Sequence, residues 1–237
     1  MMIRDFFEKN KGKRTFLEHE VKGLLKNLGL SVPRGVFIPK ETPLSALGSF
    51  ASGEPARGGQ LSALSYPMAA KVSSSKITSK TDAKGIRLGI KNEDELKNAV
   101  NELSGIENAE GVLVEEMVPE GLEVIVGGII DKQFGPVMMF GLGGVFVELY
   151  KDVAFALAPM KEKDALWLIQ QIKGYKLIEG YRGKPAVDKD ALTKVILAVS
   201  EIISSGDVEE IDLNPVSLYP KGAIVLDAKM SVRSKEK

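Results

Sequence analysis

Three side chains with hard oxygen donors stand close together near the end of the 237-residue chain. Asp212 and Asn214 are two residues apart, so on a β-strand they lie on the same face. If Pro220 and Lys221 form a two-residue turn, the returning strand places Asp227 opposite Asn214. Such a cluster suits Mg²⁺, which takes one or two protein ligands and completes its shell with phosphates and water. The alternative is an edge hairpin with ordinary surface acids, and a one-residue register slip would separate the three side chains.

Charged residues at strand ends form a second set of candidates. Lys71 ends an apolar strand, where a buried ammonium needs an anionic partner such as phosphate, unless the side chain reaches solvent. Glu115 and Glu116 end another apolar strand just before the turn residues 119–121. This placement is typical of the segment that contacts the base and sugar of a nucleotide, although adjacent glutamates at a strand end are often only solvated.

The glycine-rich run 141–144 does not fit the common nucleotide-binding motifs. Phe146 occupies the place of the third glycine of a dinucleotide fingerprint, and no Walker A pattern occurs in the sequence. Glycines still let backbone N–H groups approach an anion, so the run fits either a phosphoryl cradle or a plain hairpin turn. Together the lysine, the glycines and the oxygen cluster indicate nucleotide–Mg²⁺ chemistry without a P-loop.

Composition excludes several classes of function. Lys plus Arg equals Asp plus Glu at 32 each, so no net charge favours nucleic acid or an anionic membrane. The chain has no cysteine and one histidine, His19, which argues against thiolate chemistry and multi-histidine metal sites. We interpret His19 as a surface helix residue. No signal-peptide pattern or membrane-length apolar run is present, and we expect a cytoplasmic protein.

The predicted elements mix strands and helices in both halves of the chain, which favours an α+β fold with two lobes. Amphipathic spacing predicts helices at 15–28, 93–103, 162–173 and 189–204, with Asn92 capping the second. Pro43 can open a further helix to Phe50, and 52–60 has the composition of a glycine-rich loop. Strands are predicted at 36–38, 66–72, 86–90, 112–116, 123–130, 137–140 and 145–150, before the hairpin.

Several ordered motifs resemble those of one family. The sequence resembles the β subunit of ADP-forming acyl-CoA synthetases, ATP-grasp proteins related to the succinyl-CoA synthetase β subunit. The likeness covers nearly the whole chain and is weakest from 42 to 65. The motifs are Leu17–Lys22, Asp131–Pro136, Phe140–Glu148, Lys151–Val153, Gly180–Gly183, Asp188–Leu192, Asp212–Pro215 and Leu226–Lys229.

The resemblance implies an ATP-grasp fold that holds ADP or ATP with Mg²⁺ between two lobes. The smaller lobe would span 32–117, and the larger lobe, with the metal site, would span 1–31 and 118–237. Each candidate residue then has a role. By analogy Lys71 contacts phosphate, Glu115, Glu116 and the backbone of Val118 contact adenine and ribose, and Glu123 lies beside the nucleotide. Gly143 and Gly144 belong to the phosphoryl-transfer site, where Asp212 faces a phosphohistidine. Asn214 and Asp227 hold Mg²⁺.

The same resemblance implies a partner. In the family, a CoA-binding α subunit carries a histidine that passes a phosphoryl group to ADP on this subunit, within a hetero-oligomer. The enzyme is an ADP-forming acid–CoA ligase that converts acyl-CoA, ADP and phosphate reversibly to acid, ATP and CoA. Two residues depart from the pattern: Ser79 replaces a histidine thought to help shuttle phosphate, and Ala156 replaces an arginine. The alternative function is therefore a degenerate ATP-binding regulatory subunit without a phosphoryl shuttle.

Overall fold

The computed structural model describes residues 3–44, 61–77, 79–144 and 150–233. The predicted glycine-rich loop, most of the predicted helix at 43–50 and the strand at 145–149 lie outside these ranges. The helices of the described part are α1 (Ile3–Lys9), α2 (Glu18–Asn27), α3 (Glu93–Ser104), α4 (Glu162–Gln170), α5 (Tyr175–Ile178) and α6 (Lys189–Ile203). Its strands are β1 (Gly35–Pro39), β2 (Met68–Ser73), β3 (Ile86–Ile90), β4 (Gly111–Glu116), β5 (Leu122–Asp131), β6 (Gly135–Leu142), β7 (Val153–Leu157), β8 (Val208–Leu218), β9 (Ala223–Val225) and β10 (Lys229–Val232).

The chain divides into two compact units. The smaller unit contains Leu17–His19 and Pro33–Pro119, and the larger unit contains Met1–Phe16, Glu20–Val32 and Glu120–Lys237. The first residues of α2 therefore pack with the smaller unit, whereas sequence reasoning assigned all of residues 1–31 to the larger lobe. No helix of the described residues is long and apolar enough to cross a membrane.

The smaller unit is built on an antiparallel sheet with strand order β1-β4-β2-β3. Directly paired residues share a face, so the pairs Ala69–Glu115 and Lys71–Leu113 place Lys71 and Glu115 on one side. The opposite side packs against α3, whose N-terminus is capped by the Asn92 side chain as predicted. One face of the sheet thus forms the core with α3, and the other is available for polar groups.

The larger unit is built on a six-stranded antiparallel sheet with the path β10-β8-β5-β6-β7, and β9 also pairs with β8. One face packs against α6, which contacts β5 and β8, and against α4, which contacts β6 and β7. Gly128 allows this close packing, because a Cβ there would lie 3.2 Å from the Cβ of Ile203. Most helices and strands named from the sequence are confirmed within these ranges. Helices α1 and α5 and strands β7 and β10 were not predicted, and Tyr150, predicted at the end of a strand, is helical.

Candidate functional site

The C-terminal hairpin has the register that the sequence predicts. Val216 pairs with Val225 and Leu218 pairs with Ala223 across β8 and β9. The Tyr219 N–H donates to the Gly222 carbonyl over 3.1 Å, which encloses the predicted two-residue turn. Beyond β9 the same alignment continues, and the Asn214 N–H donates to the Asp227 carbonyl over 3.2 Å. The predicted opposition of residues 214 and 227 is confirmed.

The Asp212 side chain lies on the same face of the larger sheet as the Asn214 side chain. It pairs with Lys229 of β10 on one side and with Gly127 of β5 on the other. Because Asp212 and Asn214 are two residues apart on β8, their side chains point to the same side of the sheet. Asp212 and Asp227 are half-buried and Asn214 is exposed. The structure therefore brings the three predicted oxygen ligands to one edge of one sheet face.

This donor set fits a magnesium ion that is shared with a phosphate ligand. Among the residues that the structure describes, no group of three or more Asp, Glu, His or Cys side chains could hold a metal alone. Asp212, Asn214 and Asp227 offer two carboxylates and one amide oxygen instead. Mg²⁺ typically takes one or two protein groups and fills its remaining positions with phosphate oxygens and water. A nucleotide-dependent magnesium site is consistent with these ligands, and an all-protein cage is not.

Asp188 fixes the turn of the hairpin to helix α6. Its carboxylate accepts hydrogen bonds from the Ala191 N–H at 2.9 Å, as the helix N-cap, and from the Gly222 N–H at 2.8 Å. These backbone donors, that of Ala191 first, lower the pKa of the Asp188 carboxyl below its ordinary value. The Asp188 N–H donates in turn to the Tyr219 carbonyl over 2.8 Å. The hairpin is therefore anchored at its turn, away from Asn214 and Asp227.

Glycine is favoured at residues 143 and 144 for two different reasons. The Gly143 N–H donates to the Glu123 carbonyl over 2.8 Å, and a Cβ at residue 143 would lie 3.0 Å from that carbonyl. Gly144 has open space but a φ of +60°, the left-handed region that glycine adopts without strain. The structure thus places the backbone of Glu123 beside Gly143. The exposed position of Gly144 leaves its backbone accessible to a ligand.

A buried ion cluster surrounds Lys71 in the smaller unit. The Lys71 ammonium lies 2.8 Å from the Glu115 carboxylate and 3.2 Å from that of Glu18. Glu18 also pairs with Lys80, over 2.8 Å. Lys71 therefore does not reach solvent: 11% of its side chain is exposed, and only 3% of each glutamate side chain. Sequence reasoning missed Glu18 and Lys80, whose contacts no local pattern indicates.

Glu115 and Glu116 point to opposite sides of β4. Whereas Glu115 joins the buried cluster, Glu116 pairs with the Arg34 guanidinium at 2.5 Å and accepts from the Ser65 N–H at 2.7 Å. The hydrogen bond from Arg34 is the main reason that the pKa of the Glu116 carboxyl is lowered. Val118 lies two residues beyond the end of β4 and is half-buried. Of the two glutamates, Glu115 is therefore held in the buried cluster, and Glu116 is half-buried with Arg34 and Ser65 as partners.

Ser79 and His19 are both half-buried. The Ser79 hydroxyl accepts a hydrogen bond from the Asp82 N–H over 3.3 Å. His19, interpreted from the sequence as a surface residue, is half-buried and stacks on the Phe37 ring with 4.1 Å between ring centroids. Ala156, the second departure from the family pattern, is half-buried in β7 opposite Met138.

Comparisons with known proteins identify the family to which the chain is similar. The family described as ATP-grasp domain matches residues 8–232. Acetate–CoA ligase [ADP-forming] I subunit beta of Pyrococcus furiosus is 38% identical, over 96% of this chain and 96% of its own length. Acetate–CoA ligase [ADP-forming] II of Archaeoglobus fulgidus is also 38% identical, but this chain spans only 31% of its length.

Solved structures of an acetyl-coenzyme A synthetase are also similar to this chain over nearly its whole length. Acetyl-coenzyme A synthetase 1 of Ca. Korarchaeum cryptofilum, in complex with coenzyme A and Ca-AMPCP, is 35% identical with a TM-score of 0.82; the match covers 98% of this chain and 100% of that one. Another structure of that enzyme holds coenzyme A and Mg-AMPPCP, with its phosphohistidine segment pointing towards the nucleotide binding site (TM-score 0.76, 36% identity, 98% and 100% coverage). ATP citrate lyase of Methanothrix soehngenii, at 18% identity, a TM-score of 0.60 and coverage of 92% and 51%, shares the fold alone.

Proposed function

Because the chain belongs to the ATP-grasp β subunits of ADP-forming acyl-CoA synthetases, we propose that it binds ADP or ATP with Mg²⁺ and exchanges a phosphoryl group with a phosphohistidine on an α subunit. The complex interconverts acyl-CoA, ADP and phosphate with acid, ATP and CoA. The observation that carries this proposal is the register that sets Asp212, Asn214 and Asp227 on one face of one ladder.

The larger unit supplies the phosphoryl-transfer groups. Asn214 and Asp227 hold Mg²⁺ together with nucleotide phosphates, and Asp212 faces the histidine of the α subunit. Bound Mg²⁺ supplies positive charge to the phosphate oxygens, which is the main requirement of phosphoryl transfer. The carboxylate of Asp212 orients the imidazole and favours its protonated form once the phosphoryl group has left. The exposed backbone at Gly144 adds N–H groups near the transferred phosphate.

The smaller unit supplies the contacts to the rest of the nucleotide. Glu116 and the backbone at Val118 meet the ribose and adenine, and Lys71 meets phosphate. Ion pairs with Glu115 and Glu18 fix the position of the Lys71 ammonium before a nucleotide binds. Two lysines and two glutamates alternate in this cluster, in the order Glu115, Lys71, Glu18 and Lys80. Glu115 therefore acts by positioning Lys71 rather than by meeting the ribose itself, which refines its predicted role.

The histidine that carries the phosphoryl group belongs to the α subunit. His19 is the only histidine of this chain and its ring is stacked on Phe37. Ser79 cannot form a phosphohistidine. The phosphoryl group therefore passes from the α-subunit histidine directly to ADP, without a second carrier here. A degenerate regulatory subunit is not favoured, since the chain matches β subunits of ADP-forming acetate–CoA ligases over nearly its whole length.

The partner follows from the form of the relatives. Two Pyrococcus furiosus relatives are named as β subunits, and longer relatives such as the Archaeoglobus fulgidus ligase contain a matching segment within a longer chain. We propose that this chain assembles with a CoA-binding α subunit as a hetero-oligomer in the cytoplasm. Relatives at 33% identity are named for 4-hydroxybutyrate and for trans-feruloyl-CoA. Similarity over this chain therefore does not identify the acid that the complex uses.

Co-expression with the α subunit tests the proposal. The α subunit is first phosphorylated with acetyl-CoA and labelled phosphate, and is then mixed with this chain, Mg²⁺ and ADP. We expect loss of acid-labile label from the α subunit and matching formation of labelled ATP. Binding of Mg²⁺–ADP without discharge of a phosphorylated α subunit would contradict the proposed function and support the regulatory alternative.

A further inference from the structure

The exposed face of the larger sheet carries an apolar surface that continues directly from the proposed phosphoryl-transfer site. Strand pairing arranges this face in rows across the sheet. One row runs from Asp212 on β8 through Gly127 and Met139 to Phe155 on β7. The next row contains Glu210 on β8, Ile129 on β5, Val137 on β6 and Leu157 on β7. Residues paired across strands share a face, so acidic and apolar groups lie side by side.

The apolar half of this face is more exposed than a packed core would leave it. Ile129 is 47% exposed, Phe155 58% and Leu157 60%. The neighbouring β7 residue Ala154 is buried and packs with the core on the other face. Contiguous exposed apolar side chains on a sheet face indicate an interaction surface, whereas single ones do not.

We propose that this apolar surface, formed by Ile129, Met139, Phe155 and Leu157, docks the segment of the α subunit that carries the phosphohistidine. The inference rests on the proposed function, because it assumes that the α-subunit histidine must reach Asp212. Three strand steps separate Asp212 from Phe155, or about 14 Å at the usual strand spacing. An extended segment of about four residues spans that distance. A segment with its histidine over Asp212 is therefore long enough to lie over β7 as well, where the exposed side chains favour an apolar partner.

Charge argues against a second copy of the chain as the occupant. The acidic end of the rows contains Glu210, Asp212 and Asp227, with Lys229 opposite Asp212. Two copies packed face to face about a two-fold axis would bury these carboxylates against apolar side chains or against each other. A partner segment that covers only the apolar end and brings its phosphoryl group to bound Mg²⁺ avoids this cost.

Leu157→Ser and Phe155→Ser test the proposal, with Leu88→Ser as the matched control. Leu88 is 66% exposed on β3, the edge strand of the smaller sheet, as Leu157 lies on the edge strand of the larger one. The measurement is the concentration of phosphorylated α subunit that gives half-maximal discharge to Mg²⁺–ADP. We expect a rise of about tenfold or more for each β7 variant. We expect no rise for Leu88→Ser, and unchanged Mg²⁺–ADP affinity and melting temperature in all three.

Hydrogen exchange measures binding of the α subunit independently of phosphoryl transfer. Addition of the phosphorylated α subunit is expected to slow amide exchange in β6 and β7. Protection without phosphoryl transfer would refute the proposed function and leave the docking surface in place. Discharge with equal kinetics in Leu157→Ser and Leu88→Ser would refute the docking surface and leave the function. A wild-type chain that is dimeric alone, and that Leu157→Ser makes monomeric, would also refute it.

Discussion

Glu18→Gln removes one negative charge from the buried ion cluster of the smaller unit while keeping the shape of the side chain. In the native chain Glu18 contacts both Lys71 and Lys80, and Glu115 supplies the second carboxylate. The variant removes the carboxylate that Lys71 and Lys80 share. We expect a large loss of stability, because an uncompensated buried charge costs far more than a missing surface pair.

The magnitude follows from burial. Only 3% of the Glu18 side chain is exposed, and 11% and 9% of the Lys71 and Lys80 side chains, so solvent screens the cluster weakly. Removing one partner from a buried pair costs about 3–5 kcal/mol. Glu20→Gln is the control, since Glu20 lies on the same helix and pairs with Lys13 at 2.5 Å on the surface. A surface pair is worth up to about 1 kcal/mol.

Hydrogen exchange of the β2 and β4 amides is the appropriate assay. The single tryptophan, Trp167, lies in α4 of the larger unit, so its fluorescence does not report directly on the smaller sheet. A loss of about 3 kcal/mol corresponds to a rise of about 150-fold in the exchange rate of the most protected amides. The double variant Glu18→Gln/Lys80→Met, which restores charge balance, should recover part of the loss. If Glu18→Gln exchanges within threefold of Glu20→Gln, the cluster does not stabilise the unit as argued.

Four further predictions concern the candidate site. Asp227→Ala should weaken Mg²⁺-dependent ADP binding by about tenfold or more in calorimetry, with unchanged melting temperature; equal affinity would remove Asp227 from the site. Ser79→His should cost less than about 1 kcal/mol in thermal unfolding, because an imidazole nitrogen can accept the same backbone hydrogen bond; a larger loss would show tight packing there. Gly143→Ala should lose about 1–3 kcal/mol and most activity, since the new Cβ meets a backbone carbonyl at 3.0 Å. The lowered pKa of Glu116 means that its contribution to stability is complete above its ordinary value of 4.5 and is lost as pH falls through the lowered pKa. Arg34→Gln should therefore flatten the acid limb of a melting-temperature profile, and an unchanged limb would contradict this assignment.

The register of the C-terminal hairpin could be predicted from sequence because it depends on local features. Side chains alternate along a strand, and a two-residue turn fixes which residues face each other. Asp212, Asn214 and Asp227 therefore followed from the turn at residues 220 and 221 alone. The family likeness added roles to these residues but was not needed for their register.

The ion cluster could not be predicted in the same way. Its partners are far apart in sequence: Lys71 and Glu18 are 53 residues apart, and Lys71 and Glu115 are 44 apart. The rule that a buried ammonium needs an anion correctly predicted an anionic partner for Lys71. Glu115 and Glu18 are such partners, and no local pattern indicated them; the phosphate contact of Lys71 stays a prediction.

Strand β7 shows a further limit of pattern reasoning. Its sequence, Val153–Leu157, is apolar at every position, so alternation cannot tell which side chains form the core. The structure shows that Ala154 packs inward while Phe155 and Leu157 remain exposed. A sheet that only had to fold would place polar residues at those two positions, as antiparallel sheets with one solvated face commonly do. The apolar surplus on β7 therefore needs a cause outside the unit's own core, and the proximity of the row that ends at Asp212 indicates the histidine-bearing partner as that cause.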